Sequence, residues 1–486
     1  MLLSQLLKNV EIKRTIGKCD VDIKSICFNS KDVREDSLFF CLSGSQVDGH
    51  EFAESAKQKG AKAIVCERTL ETDITQIVVE DSRIAMALIA SNFYDNPTKK
   101  FKLIGITGTN GKTTTTYYIK NILEKAGFKV GVIGTIGTVI GEEKYPATLT
   151  TPDPIELYKI FNEMAKKSVQ YVVMEVSAHA IYWNKIFGIK FDVGALTNIT
   201  QDHLDFFETF DKYKKVKQSF LNSEHCKNVV VNIDDEAGRE LALSDDKVFS
   251  YGLHNPCDVF AFDYSFSFSG TEYGLNVFDD VEIIKTTQIG KFNLYNALCA
   301  ATVCKVLGID KKHIINGLET LSSVAGRINV LNLGGGKIAI IDYAHTPDGL
   351  KNILQTVREV CSGKVVSLFG CGGNRDKTKR SIMGEISAFF ADYTIITSDN
   401  PRFEKPQDII CEIENGVKKL TQKYICIEDR KKAINYGLKM LKENDCLVVC
   451  GKGAENYIDA CGVKTYYSDY ETIEKENKKI KEQQVD

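Results

Sequence analysis

Short apolar runs alternate along this chain with stretches of 3.6-residue periodicity, which predicts strands and helices taken in turn. In the first hundred residues, 37–42, 62–66 and 76–79 read as strands, and 52–59 and 82–94 as helices. Asp95, Asn96, Pro97 and Thr98 then form a turn signal that suits a linker. The alternation resumes with strands at 101–106, 129–133, 171–175, 193–197 and 228–232 and a helix at 112–126. A strand-rich part covers about 248–287, and a helix near 293–307 follows it. Beyond Gly326 the pattern restarts, with strands at 338–342, 365–369, 393–397 and 446–450. Strand–helix alternation implies mostly parallel sheets covered on both faces. The expected fold class is therefore α/β in three domains: 1–98, a central parallel-sheet domain at 99–324, and a doubly wound, Rossmann-like domain at 325–486. The tail from Glu471 is charged throughout and reads as a solvated or frayed helix end.

Length agrees with this division, since 486 residues exceed one core and suit about three domains. Composition adds little, but excludes several classes. A formal net charge of −3 gives no reason to expect nucleic acid or an anionic membrane as partner. The 15 cysteines include no Cys-x-x-Cys pair and sit mostly in apolar runs, which suits reduced thiols in a cytosol. The N-terminal stretch is short and amphipathic, without the apolar region of a signal peptide, and no window resembles a membrane helix. A cytoplasmic protein is expected.

The stretch that carries most chemistry is GITGTNGKTTTT, Gly105 to Thr116, between a predicted strand and a predicted helix. Glycines let backbone N–H groups close around phosphate oxygens, and the helix start adds a favourable dipole. Lys112 is then placed for the terminal phosphates and the Thr113 hydroxyl for Mg²⁺. The usual pattern has a glycine where Ile106 stands, so this is a variant loop, and an ordinary glycine turn is the plainer alternative. Two further strand ends carry polar groups: Glu175 with Ser177 and His179, and Thr197 and Asn198 with Asp202 and His203. Ligands of open parallel sheets gather at such ends, so Glu175 and His203 are candidate metal ligands, or else structural. Lys217 shares a helix face with Tyr213 and Leu221. Periodicity alone favours a lysine snorkelling its head into water; the other reading points it into the site. Toward the C-terminus, Arg375 and Arg402 suit a carboxylate bound bidentately, and Glu455 an ammonium, so an amino acid is the ligand class they fit. Surface salt bridges are the alternative for any one of them.

Taken in order, GTNGKTTTT, TTPDP, MEVSAH, TNITQDHLD, YKKVKQSF, FNLYNAL, AGR, DYAHTPD, FGCGGNRDK, DNPR and GKGAE closely resemble the Mur ligases of peptidoglycan synthesis. That resemblance runs from about Asn29 to Tyr467 and implies a uridine-nucleotide domain, a central P-loop ATPase domain and an amino-acid domain. It also implies the reaction: ATP phosphorylates the glutamate carboxylate of UDP-N-acetylmuramoyl-L-Ala-D-Glu, and an amino acid's amine displaces phosphate. By resemblance, Gly108, Thr109, Asn110, Gly111, Lys112, Thr113 and Thr114 cradle ATP, with Asn296 and Asp342 at adenine and ribose. Lys112 and Arg327 would contact the transferring phosphate. Thr113 and Glu175 would hold one Mg²⁺, and His203 with a carbamylated Lys217 a second. Phe28, Ser30, Ser45, Gln46 and Val47 would meet the uridine nucleotide, and Leu149, Thr150, Thr151, Ser177, Trp183 and Lys185 the muramyl-peptide.

Trp183 and Lys185 stand where many relatives carry Gln and Arg, and Asn374 and Ala454 where Asp and His are frequent. Arg375, Asp399, Asn400, Pro401, Arg402, Gly451 and Glu455 would take the amino acid. DNPR resembles the form that selects meso-diaminopimelate, with lysine as the alternative. A folylpolyglutamate-synthase-like ligase, a P-loop kinase and a nucleotide sensor are the other readings; a switch GTPase lacks its Asn-Lys-x-Asp signature here. ATP and Mg²⁺ are the expected cofactors, small molecules the only expected partners, and a monomer the expected state.

Overall fold

The computed structural model describes residues 1–44, 47–244, 248–277, 280–322 and 324–483. It is a mixed α/β fold in two compact units. One is built from Met1–Thr107, Gly127–Ala195 and Val216–Val229, the other from Gly108–Ala126, Leu196–Lys215 and the described residues from Val230 onward.

The first unit holds a five-stranded sheet in the order Ile12–Ile16, Thr75–Val79, Ala61–Cys66, Ser37–Phe40, Ser25–Cys27, all parallel except the first strand. Ser37–Phe40 and Thr75–Val79 are buried at every residue, which is why they appear as unbroken apolar runs. Its second sheet runs Phe191–Leu196, Lys102–Thr107, Tyr171–Glu175, Val130–Gly134 and then two antiparallel strands, Gly137–Ile140 and Glu143–Tyr145. Tyr171–Glu175 is parallel to both its neighbours. Parallel order puts the ends of these strands, and the polar residues after them, along one edge.

In the second unit the helix Lys112–Lys125 packs on Lys291–Val306 and Lys311–Glu319, and Asn121 Nδ2 donates to the Gly317 carbonyl at 2.7 Å. Four strands from Val248–Gly252 to Asp280–Thr286 make the strand-rich part expected there. The last sheet has the order Asn329–Gly334, Lys337–Asp342, Cys446–Cys450, Val365–Phe369, Tyr393–Ile396, Tyr424–Cys426 and is parallel after its first strand. Alternate strand residues feed two cores: Ile340, Val448, Val365 and Ile396 on one face, Ala339, Leu447, Val366 and Ile395 on the other. That is a doubly wound sheet.

Three features go beyond the expectation or differ from it. The tail is a helix, Asp469–Glu482, whose Ile473 is fully buried. Asp469 forms an ion pair with Arg430 at 2.7 Å, and both are almost fully buried. The charged run hid this, because the helix docks through few groups: buried Ile473, Ile480 packed beside it, and two buried carboxylates, Asp469 and Glu476. The N-terminal amphipathic stretch forms the helix Leu3–Leu6 and the edge strand Ile12–Ile16. The hairpin Tyr457–Ala460 and Val463–Tyr466 lies outside any apolar run, since its second strand is exposed throughout.

Removing one partner of a buried pair strands the other charge, at a cost of about 3–5 kcal/mol. Asp469→Ala is therefore expected to lower the midpoint of urea unfolding followed by circular dichroism. An unchanged midpoint would mean that the last helix adds nothing to the fold.

Candidate active site

The chain enters the second unit at Gly108 and forms the loop 108–111, ahead of the helix Lys112–Lys125. Gly108 has φ +144°, and a Cβ there would lie 1.9 Å from Thr197 Oγ1. Gly111 has φ +84°, and a Cβ would lie 2.3 Å from Asn296 Oδ1. Both positions need glycine for backbone conformation and for space. Between them, Thr109 N donates to the Asn198 carbonyl (2.8 Å) and Asn110 N to Asn198 Oδ1 (3.0 Å), while Thr197 Oγ1 donates to the Asn110 carbonyl (2.6 Å). Thr109 Oγ1 lies 3.1 Å from the Tyr213 hydroxyl. The Lys112 ammonium donates to the Gly108 and Thr109 carbonyls, both at 2.9 Å. No side chain caps the start of the helix, and its dipole points its positive end toward the loop.

Arg327 Nη2 donates to Thr113 Oγ1 at 3.3 Å, and its guanidinium sits 4.7 Å from the Tyr343 ring centre. The next residue, Ile328, has φ +39°, an uncommon and strained conformation for a β-branched residue. Asp342 holds it there, with Oδ2 accepting Ile328 N at 2.9 Å and Oδ1 accepting Ala344 N at 2.8 Å. Burial pushes the Asp342 carboxyl above its ordinary range, against the pull of Arg327. Thr113, Arg327, Asp342, Tyr343 and Ala344 line a cavity of about 480 Å³ shared with Asn110, Thr114, Tyr295, Asn296 and Asp348. Asn110 Nδ2 donates to Asp348 Oδ2 at 2.9 Å. Of the ATP candidates, Asn110, Gly111, Thr113, Thr114, Asn296, Arg327 and Asp342 line this cavity, and Gly108, Thr109 and Lys112 do not.

The amino-acid candidates gather at the carboxyl ends of the last sheet. Asn400 Nδ2 donates to Glu455 Oε2 (2.8 Å), and Arg402 Nη1 to the Gly373 carbonyl (2.7 Å). Lys452, which sequence reasoning passed over inside GKGAE, is fully buried beneath them. Its Nζ donates to Asn400 Oδ1 (2.9 Å) and the Tyr457 carbonyl (2.7 Å) and lies 3.5 Å from Asp399 Oδ1. Burial, then the Asp399 charge, raises the Glu455 carboxyl's affinity for its proton. Gly451 follows the strand Cys446–Cys450 and donates to the Asp342 carbonyl, Pro401 is buried, and Arg375 is exposed.

The first unit carries the remaining candidates. Glu175 ends its strand and is 1% exposed; Oε1 accepts Thr135 N and Oε2 accepts Thr135 Oγ1, both at 3.0 Å. Thr135 Oγ1 lies 3.1 Å from Thr150 Oγ1, and Thr151 Oγ1 donates to the Glu175 carbonyl at 2.8 Å and lies 3.3 Å from Ser177 Oγ. Thr135 follows a fully buried strand, a signal that could have found it. Lys185 pairs with Asp153 at 2.8 Å, and Trp183 lies under the Arg83 guanidinium, 4.3 Å away. Arg83 Nη2 also donates to the Ser43 carbonyl at 3.1 Å. Phe28, Val47 and Leu149 are exposed, and Ser30 is half-buried, its carbonyl accepting Lys59 Nζ. Ser45 and Gln46 lie outside the described residues. Lys217 is 2% exposed, so its head does not snorkel into water. His203, in the second unit, has φ +55° and lies 3.4 Å from Asp202 Oδ2. The Thr113 hydroxyl in the second unit and the Glu175 carboxylate in the first are each hard oxygen donors of the kind Mg²⁺ takes, and among the described residues no three His, Cys, Asp or Glu gather as a metal site.

A glycine-built phosphate loop, a polar cavity and charged strand ends define an α/β enzyme of the nucleotide-using class. Three family models match the chain: a Mur ligase family catalytic domain over 22–94, the Mur ligase middle domain over 106–304, and the Mur ligase glutamate ligase domain over 326–453. The chain belongs to the Mur ligase family, and it is an ATP-dependent ligase. It is 43% identical to UDP-N-acetylmuramoyl-L-alanyl-D-glutamate–2,6-diaminopimelate ligase 1 of Clostridium acetobutylicum, over 97% of this chain and 98% of that one. The Clostridium tetani ligase named for the same activity is 44% identical over 94% and 95% of the two chains. A solved structure under that name superposes with a TM-score of 0.70 at 25% identity over 99% of both chains. MurF ligase from Thermotoga maritima in complex with ADP shares the fold, with a TM-score of 0.65 at 22% identity over 96% and 99%. Among the described residues no helix is long and apolar enough to cross a membrane.

Gly108→Ala is expected to abolish ATP-dependent turnover, because the new methyl meets Thr197 Oγ1 and the φ disfavours any side chain. Steady-state ligation and ATP binding by calorimetry check it; ATP affinity within twofold of the parent would contradict the packing argument.

Proposed function

We propose that this enzyme adds meso-2,6-diaminopimelate to UDP-N-acetylmuramoyl-L-Ala-D-Glu, with ATP cleaved to ADP and phosphate, in peptidoglycan synthesis. The observation that carries the reading is near-full-length identity of about 43% to ligases named for this reaction. Arg402 at the end of a parallel strand adds a guanidinium suited to a second carboxylate, which lysine lacks.

The chemistry begins when a carboxylate oxygen of the D-glutamyl group attacks the γ-phosphorus of ATP. ADP leaves, and an acyl phosphate forms. The amine of diaminopimelate, in its neutral form, then attacks the acyl carbon, and the tetrahedral intermediate collapses to amide and inorganic phosphate. Two anions must meet in the first step, so the protein has to supply positive charge. Lys112 and Arg327 are proposed to face the transferring phosphate, with the N–H groups of 108–114 on the other phosphates and Asn296 and Asp342 at the nucleoside. Thr113 and Glu175 are proposed ligands of one Mg²⁺, and His203 with Lys217 of a second; these ions would screen phosphate charge and polarise the γ-phosphoryl group. Carbamylation of Lys217 would replace a buried ammonium with an oxygen donor.

Glu175's neighbours Thr150, Thr151 and Ser177, with Leu149, Trp183 and Lys185, are proposed along the muramyl-peptide, and Phe28, Ser30, Ser45, Gln46 and Val47 at the uridine nucleotide. Arg375, Asp399, Asn400, Pro401, Arg402, Gly451 and Glu455 are proposed to hold diaminopimelate, its carboxylates toward the arginines and its ammonium toward Glu455. Domains divided near residues 98 and 324, a monomeric state and a cytoplasmic location complete the proposal.

An amino-acid panel tests it. Diaminopimelate is expected to be ligated and lysine not, and Arg402→Ala should raise KM for diaminopimelate by about 100-fold or more while leaving KM for ATP within threefold. Robust lysine addition with none for diaminopimelate would overturn the assignment.

A further inference from the structure

Behind the amino-acid pocket lies a buried cation that the reaction does not use. Arg380, on the helix Thr378–Phe390, is fully buried. Its guanidinium grips Glu404 with both ends, Nη1 to Oε2 and Nη2 to Oε1, each at 3.0 Å. Nη1 also donates to Glu412 Oε2 at 3.0 Å, and Nη2 to the Gly372 carbonyl at 3.4 Å. Glu404 in turn accepts Asn374 N at 2.5 Å, and Lys377 Nζ lies 3.3 Å away. The Arg380 guanidinium, ahead of every other influence, holds the Glu404 carboxyl down to about 2.

These partners fall into a pattern. Apart from Glu412, every group that Arg380 or Glu404 touches belongs to the two segments that present Arg375, Asn400 and Arg402, or to Lys377 beside them. The segments are further joined to each other. Asn374 Oδ1 accepts Phe403 N (3.0 Å), Gly373 N donates to the Asn400 carbonyl (2.9 Å), and Arg402 Nη1 donates to the Gly373 carbonyl (2.7 Å). Asn374 and Arg402 both have left-handed backbones, with φ +52° and +51°. Asparagine tolerates that conformation; arginine does so at a cost, and keeps it only where the surroundings impose it. The asparagine at 374 also has a local reason. An aspartate there would put a second carboxylate beside Glu404, which already caps its N–H.

We infer that Arg380 and Glu404 are positioning residues of the amino-acid pocket: their bidentate pair clamps the segments 372–375 and 400–404 together and thereby sets the direction of the Arg402 guanidinium. The inference rests on the proposed amino-acid pocket. A merely stabilising ion pair would not need its acceptors concentrated on these two segments, and its loss would move all substrates alike.

Two readouts separate the possibilities in Glu404→Gln, which keeps an acceptor for Asn374 N but weakens the grip on Arg380. Amide hydrogen exchange in the whole enzyme should quicken in 372–375 and 400–404 and nowhere in the phosphate loop. KM for diaminopimelate should rise about 10-fold or more, with KM for ATP and for the muramyl-dipeptide within threefold. Arg380→Lys, which keeps the charge and loses the fork, should give the same split. Unchanged exchange in both segments overturns the inference, as does faster exchange with an unchanged KM for diaminopimelate, or an equal rise for all three substrates. Failure of the underlying reading looks different: the parent enzyme itself would then ligate no diaminopimelate, whatever the exchange of the variant shows, and the inference would fall with it.

Discussion

The nucleotide end of this molecule depends on two close approaches of backbone to side chain, where Gly108 meets Thr197 and Gly111 meets Asn296 with no room for a methyl group. These contacts hold the loop in one shape, and Asn198 fixes the peptide groups between them. The consequence is a helix start whose N–H groups and dipole are committed in direction before any anion arrives, which is how a backbone supplies preorganised positive potential. Arg327 is set in place by the same economy of means. Asp342 accepts the N–H of a strained Ile328, so the arginine beside it inherits a fixed position, and its guanidinium reaches Thr113 at the head of the loop's helix.

A second constraint acts at the ends of the last sheet. Parallel order brings the segments after four strands to one edge, and those segments carry both signs of charge. The buried Lys452 sits between Asn400, Asp399 and Glu455, while Arg402 is drawn toward the Gly373 carbonyl. Carboxylates and guanidinium groups carried on one edge suit the amino acid proposed for it, with its ammonium and carboxylates. In the proposed reaction the phosphate loop activates and this edge chooses. The same division of labour explains why loss of Arg402 and loss of Gly108 should have separable effects.

Much of this was legible in the sequence, for identifiable reasons. Buried parallel strands such as Val365–Phe369 and Cys446–Cys450 are unbroken apolar runs, so their limits were recovered to the residue. Glycine positions in the loop carry their own conformational reason. Buried charge was not legible. Arg380, Lys452 and Asp469 look like surface charges in a linear sequence, because their partners are far along the chain and burial cannot be inferred from residue type. Lys217 is the instructive case: helix periodicity put it on the apolar face, and the habit of assuming that lysines escape to water misjudged how deeply it is buried. The hairpin from Tyr457 to Tyr466 was missed for the opposite reason, since an exposed pair of strands has no apolar run to announce it.

In the proposed reaction the γ-phosphoryl group of ATP bound at 108–114 passes to a substrate carboxylate before the amine attacks, and this order of events can be traced isotopically. It is tested most directly by labelling that carboxylate with ¹⁸O in UDP-N-acetylmuramoyl-L-Ala-D-Glu and analysing the inorganic phosphate released during ligation by mass spectrometry. One ¹⁸O per phosphate is expected, appearing only when ATP, the muramyl-dipeptide and the amino acid are all present. Unlabelled phosphate, or ATP turnover without the muramyl-dipeptide, would contradict it.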